Sequence, residues 1–185
     1  MRSFPSALFL AAGVLAATAI TAPKPAAACG PEVIIQFIDS GPDVFIIDNK
    51  SREDWTLLSL EFRSANSIGR VVFDTDFGGQ GSSEPYQFEV VPGEVSLMKE
   101  PVVADGAEAL DLHFANFSAG RKFMFTIDLD DRLESSPMGQ AHVTGEEIAG
   151  AEVSGVFSHP KIGKGSAHGT FGSDGKAHLR GATCA

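Results

Sequence analysis

Five aspartates in two short stretches carry the most suggestive chemistry in this 185-residue chain. Asp74 and Asp76 open Asp74-Thr75-Asp76-Phe77-Gly78-Gly79-Gln80-Gly81-Ser82-Ser83, a loop too rich in glycine for regular structure. Asp128, Asp130 and Asp131 stand at the acidic end of the run Phe125-Thr126-Ile127-Asp128-Leu129-Asp130-Asp131. A spacing of two puts Asp128 and Asp130 on one face of an extended strand, where like charges repel unless a cation or a basic side chain lies between them. Carboxylate oxygens are hard ligands, so the ion that suits them is Ca2+, provided that both stretches reach one end of the fold. Asp74-x-Asp76-x-Gly78 matches only the start of a calcium-loop pattern and lacks the distal Glu. The competing expectation is a solvated strand end with Arg121 or Arg132 as counter-ion.

Other chemistry is thinly represented. His113, His142, His159, His168 and His178 are scattered, with neither HxH nor HExxH spacing, which suits surface or turn positions better than zinc. Ser166 lies in Lys-Gly-Ser-Ala-His-Gly, which is not the GxSxG of a nucleophile elbow. Glu146-Glu147 offers paired carboxylates, yet a single Trp and a single Tyr leave few aromatic platforms for a sugar. The sequence therefore predicts no enzyme and no catalytic residue, with a secreted carbohydrate-binding module or hydrolase as the alternative. Asn49-Lys50-Ser51 and Asn116-Phe117-Ser118 match glycosylation acceptors.

Strands must position these residues. From Leu110 to Asp131 alternation occurs twice: Leu110, Leu112 and Phe114 share a face, as do Phe123, Phe125, Ile127 and Leu129. Ser118-Ala119-Gly120 between them predicts an antiparallel hairpin. Shorter apolar or alternating runs open at Glu32, Val44, Trp55, Arg70, Tyr86, Val95, Ala151, Ala167 and Lys176, separated by Gly and Pro turns. Only Val143 to Val153 offers a helical turn, and its two glycines keep it short. About ten short strands predict an all-β fold, an antiparallel β-sandwich, Ig-like or jelly-roll-like.

The first 28 residues read as a secretory signal peptide: Arg2, an apolar run from Ala7 to Ile20, and a small-residue cleavage site at Ala26-Ala27-Ala28. Removing 28 of the 185 residues leaves 157, one β-sandwich domain spanning 29–185. All 24 acidic residues follow residue 28, whereas Arg2 and Lys24 of the 14 basic ones precede it, so the charge becomes 12 minus 24, or −12. Such a surface disfavours nucleic acid and anionic lipid and favours divalent cations. No second apolar run predicts a transmembrane span. The two cysteines, Cys29 and Cys184, lie at opposite ends of the exported chain and predict a disulfide. A lipid-anchored Cys29 is the lesser alternative, because Ala26 stands where a lipoprotein signal needs a bulky residue.

Several pieces, in order along the mature chain, resemble secreted bacterial proteins of the aggregation factor core family, named after the core subunit of the sponge aggregation factor. They are Val72-Phe73-Asp74-Thr75, the turn from Val102 to Gly106, Leu110-Asp111-Leu112, Ala119-Gly120, the run from Phe125 to Asp131, the stretch from Val143 to Ala151, and Cys184. The resemblance implies a non-catalytic extracellular module acting in calcium-dependent adhesion or aggregation. The expected protein is periplasmic or extracellular, with an unidentified protein or polysaccharide partner.

Overall fold

The computed structural model describes residues 30–52, 54–82 and 84–181. The expected signal peptide and the Cys29–Cys184 disulfide lie outside the described residues. The elements are β1 (Glu32–Ile38), β2 (Asp43–Asn49), β3 (Thr56–Arg63), β4 (Val72–Asp74), β5 (Glu89–Val90), β6 (Ala109–Ser118), β7 (Lys122–Asp130), the single-turn α1 (Gly145–Ile148), β8 (Glu152–His159), β9 (Gly163–Thr170) and β10 (Lys176–Arg180). The protein is all-β, and every strand pairing is antiparallel.

The strands follow one hydrogen-bonded path, β4-β7-β2-β1-β10-β9-β8-β3-β6, with β5 beside β7. This sheet is curled like half a barrel. Its first and last strands are linked: Phe73 donates its N–H to Ala107 O (2.9 Å), Gly106 donates to Phe73 O (2.8 Å), and this segment runs straight into β6. Curling brings distant strands face to face over one core. Phe45 on β2 stacks on Phe125 of β7 at 4.9 Å and meets Phe62 of β3 edge-on at 5.8 Å, and Phe62 touches Phe73 of β4 at 5.7 Å. Such aromatic pairs add about 0.5–1.5 kcal/mol each beyond their buried area.

The expected hairpin from Leu110 to Asp131 is not formed. β6 pairs with β3, whereas β7 pairs with β2, β4 and β5, so the turn at Ser118 to Arg121 is an arch between opposing walls. Phe114 and Phe123 then meet edge-on at 5.2 Å across the core instead of lying side by side in one sheet. Alternation determines which side chains go inward and leaves the strand partner open, since an arch and a hairpin bury the same residues. Asn49 fixes the choice: Arg121 O accepts its N–H, Gly120 donates to its carbonyl, and its side-chain amide donates to Phe117 O (3.0 Å) and Trp55 O (3.3 Å). Asn49 is fully buried, which removes it as a glycan acceptor in the folded chain, while Asn116 is exposed. The long hairpin is β8–β9, paired from Glu152↔Thr170 to His159↔Gly163.

Among the described residues no helix is long and apolar enough to cross a membrane. Helix α1 carries a capping box, in which Glu147 donates its N–H to Thr144 Oγ1 and accepts the Thr144 N–H in return.

Candidate metal centre

The short ladder between β4 and β7 aligns Val72 with Asp130, Phe73 with Leu129 and Asp74 with Asp128. Phe73 and Leu129 enter the core. Strand alternation therefore turns Asp74, Asp128 and Asp130 to the other face together. Each offers an oxygen within 4.8 Å of the other two, and all three residues are buried. Two oxygens bound to one Ca2+ at about 2.3–2.6 Å lie at most about 5 Å apart, so this spacing fits a shared ion.

A glycine-rich loop covers them. The backbone at Gly81 lies so near Asp74 that a Cβ there would overlap its carboxyl group, and a Cβ on Gly79 would overlap Asp105. Ser82 donates its N–H to Asp130 Oδ2. Asp105 anchors the loop from beneath, accepting the N–H of Thr75 (3.0 Å) and of Gln80. The glycines that exclude regular structure here are what let the backbone descend onto the carboxylates.

The electrostatics are those of a site short of positive charge. Burial, then the neighbouring Asp130 and Asp105, push Asp74 up to about 6. Burial, then Asp130, Asp74, Asp39 and Glu84, push Asp128 up to about 7. Asp130 is also raised, by burial, against the opposing Ser82 hydrogen bonds. Asp105 goes the other way: burial would raise it, but the N–H groups of Gln80 and Thr75 hold it below the usual carboxylate range. Asp74 Oδ1 and Asp130 Oδ1 are buried without a hydrogen-bond partner. The expected counter-ions are elsewhere: Arg132 bonds to Gln80 Oε1 and Arg121 to Glu94 O. Among the described residues no basic side chain pairs with the three carboxylates. Buried, unpaired, hard oxygen atoms converging without a cationic side chain fit a divalent cation.

Of the five aspartates singled out in the sequence, the fold brings together three. Asp76 is exposed in the loop. Asp131 is buried past the end of β7, where its Oδ1 accepts the Leu133 N–H at 2.8 Å and its Oδ2 has no partner. Two residues went unnoticed in the sequence. Asp105 sits in an Asp-Gly pair with the turn conformation at Gly106 (φ 71), which conceals its role as loop anchor. Asp43 is buried, accepts the N–H groups of Ser40 and Leu129 at 3.0 Å each, and is pushed up to about 8, chiefly by burial.

Asp128 has a second exposure. It lines a cleft of about 280 Å³ with Ser40, Gly41, Glu84, Tyr86, Ala141 and His142. Tyr86 O accepts the Asp128 N–H at 3.1 Å, and His142 Nδ1 lies 3.5 Å from Asp39 Oδ1. His159 has a turn role, its Nδ1 accepting the N–H groups of Lys161 (3.1 Å) and Ile162 (3.2 Å).

No protein-family model, curated protein or solved structure matches the chain.

Proposed function

We propose that the protein is an exported, non-catalytic adhesion or interaction module whose loop end is organised by Ca2+. Asp74, Asp128 and Asp130 hold the ion, and Asp105 holds the Gly78–Ser82 backbone over it. The convergence of three buried carboxylates, two of them with unpartnered oxygens, carries this reading. The resemblance to the aggregation factor core family supports the adhesive role, and the acidic surface supports a cation-rich setting outside the cytoplasm. The two walls of the curled sheet act as the layers of a flattened sandwich, and Cys29 with Cys184 ties its ends.

Calorimetric titration of CaCl2 into chelator-treated protein tests the metal. Affinities of extracellular modules are about 10⁻⁴–10⁻³ M, so saturation is expected in the millimolar range, with Mg2+ binding more weakly because it demands a tighter octahedron. Absence of heat and of any thermal shift at millimolar Ca2+ would remove the metal from the proposal. A carbohydrate-binding function is the second reading, favoured by the cleft beside Asp128.

A further inference from the structure

We infer that the cleft beside Asp128 seats a neutral saccharide, which reaches the bound cation through a pair of vicinal hydroxyls. The inference rests on the cation reading and adds the ligand class to it.

Asp128 belongs to both structures: it is one of the three converging carboxylates and part of the cleft wall. Asp128 is 7 % exposed, and its carboxylate makes no hydrogen bond among the described residues. Ca2+ takes six to eight oxygen ligands, more than three carboxylates supply unless all bind through both oxygens. The glycine loop packs against Asp74 and Asp130, and Asp128 is the one of the three that lines the cleft, so further ligands would enter from the Asp128 side.

The cleft's size and lining select the occupant. Its volume of about 280 Å³ corresponds to roughly nine waters at about 30 Å³ each, room for one sugar ring. Tyr86, 39 % exposed, offers an aromatic face, while Ser40 and His142 offer hydrogen-bonding groups suited to hydroxyls. Among the described residues no Lys or Arg lines it, and Glu84 on its wall with Asp39 beside His142 adds negative charge. One divalent ion does not neutralise three carboxylates together with these two. A uronate or phosphate is therefore repelled, whereas neutral vicinal hydroxyls can ligate the ion without adding charge.

The test uses methyl α-mannoside, methyl β-galactoside and fucose as neutral probes and glucuronate as the charged one, followed by saturation-transfer NMR in Ca2+ and in chelator. Neutral probes are expected to bind at millimolar concentration only with Ca2+. Tyr86→Ala and His142→Ala are expected to weaken this about tenfold or more while Ca2+ affinity stays within about twofold, which also shows that the variants fold. Ca2+ binding without any saccharide signal overturns this inference and leaves the cation reading standing. Saccharide binding that persists in chelator, or preference for glucuronate, overturns the bridging or the charge argument respectively. Failure to bind Ca2+ removes both readings together.

Discussion

Asp74 and Asp128 face each other directly across the β4–β7 ladder, two carboxylates paired where a sheet ordinarily places apolar, hydroxyl or oppositely charged partners. Their partner strands carry Phe73 and Leu129 into the core, so neither aspartate can turn away without breaking the ladder. The pair is therefore a site of repulsion in the metal-free chain and of attraction once a cation lies between. Asp128→Asn is expected to stabilise the chelated protein by about 1–3 kcal/mol near pH 8, because it removes one buried charge. The same variant should lose the thermal shift produced by Ca2+. Chemical denaturation with and without chelator measures both effects, and a variant less stable than the parent in chelator would count against repulsion at this pair.

Stability of the metal-free protein should fall as pH rises. Asp43, Asp74 and Asp128 have folded-state values raised to about 8, 6 and 7, above that of an unfolded aspartate near 4. Between about pH 4 and pH 8 the folded chain thus binds more protons than the unfolded one, and stability present at the acid end is lost towards pH 8. Melting curves in chelator should show the highest Tm near pH 5. With Ca2+ present the slope should flatten or reverse, since protons compete with the ion for the same oxygens.

Gly81→Ala places a methyl group against the Asp74 carboxyl. The loop must lift, Ser82 then leaves Asp130, and Ca2+ affinity is expected to drop by about tenfold or more, with a modest loss of stability of about 1–3 kcal/mol. Gly78→Ala, at φ 73 with open space around it, should cost about 1 kcal/mol through its backbone and perturb the ion less. Equal affinities for the two variants would show that close packing at Gly81 is immaterial to the site.

Asn49→Ala leaves the carbonyls of Phe117 and Trp55 without their donor inside the arch. The Ser51 N–H also loses its acceptor, Asn49 Oδ1 (3.2 Å), and loss of these three buried hydrogen bonds should destabilise by about 2–4 kcal/mol. Because Asn49 lies in the opposite end of β2 from Asp43, Ca2+ affinity should be unaffected; urea denaturation and calorimetry together separate these two outcomes.

Gly181 donates its N–H to Pro31 O at 2.8 Å, and Glu32 pairs with Arg180, so the described ends of the chain run side by side. Protein recovered from an oxidising compartment is expected to give a Cys29–Cys184 peptide in a non-reducing mass map. Reduction should cost about 4–5 kcal/mol on the chain-entropy model for so long a loop. Free thiols or a lipid-modified Cys29 in that map would refute the pairing.

The periodicity of two in the sequence determined which side chains are buried: Leu110, Leu112 and Phe114 on β6, and Phe123, Phe125, Ile127 and Leu129 on β7 all face the core as their spacing requires. Charge and loop composition likewise marked Asp74, Asp76, Asp128, Asp130 and Asp131, because acidic residues two apart are conspicuous, and the fold brings three of the five together. Pairing was decided only by the tertiary structure. Side-chain alternation is a property of one strand, whereas the choice between hairpin and arch depends on contacts such as those of Asn49 with Phe117, 68 residues away. Distance along the chain likewise hid Asp105, which holds the loop after Asp74 through the N–H groups of Thr75 and Gln80, 30 and 25 residues away. Burial completed the site: an aspartate at a strand end is ordinary in water, and it becomes a ligand candidate only when folding removes its solvent and leaves its oxygens unpartnered.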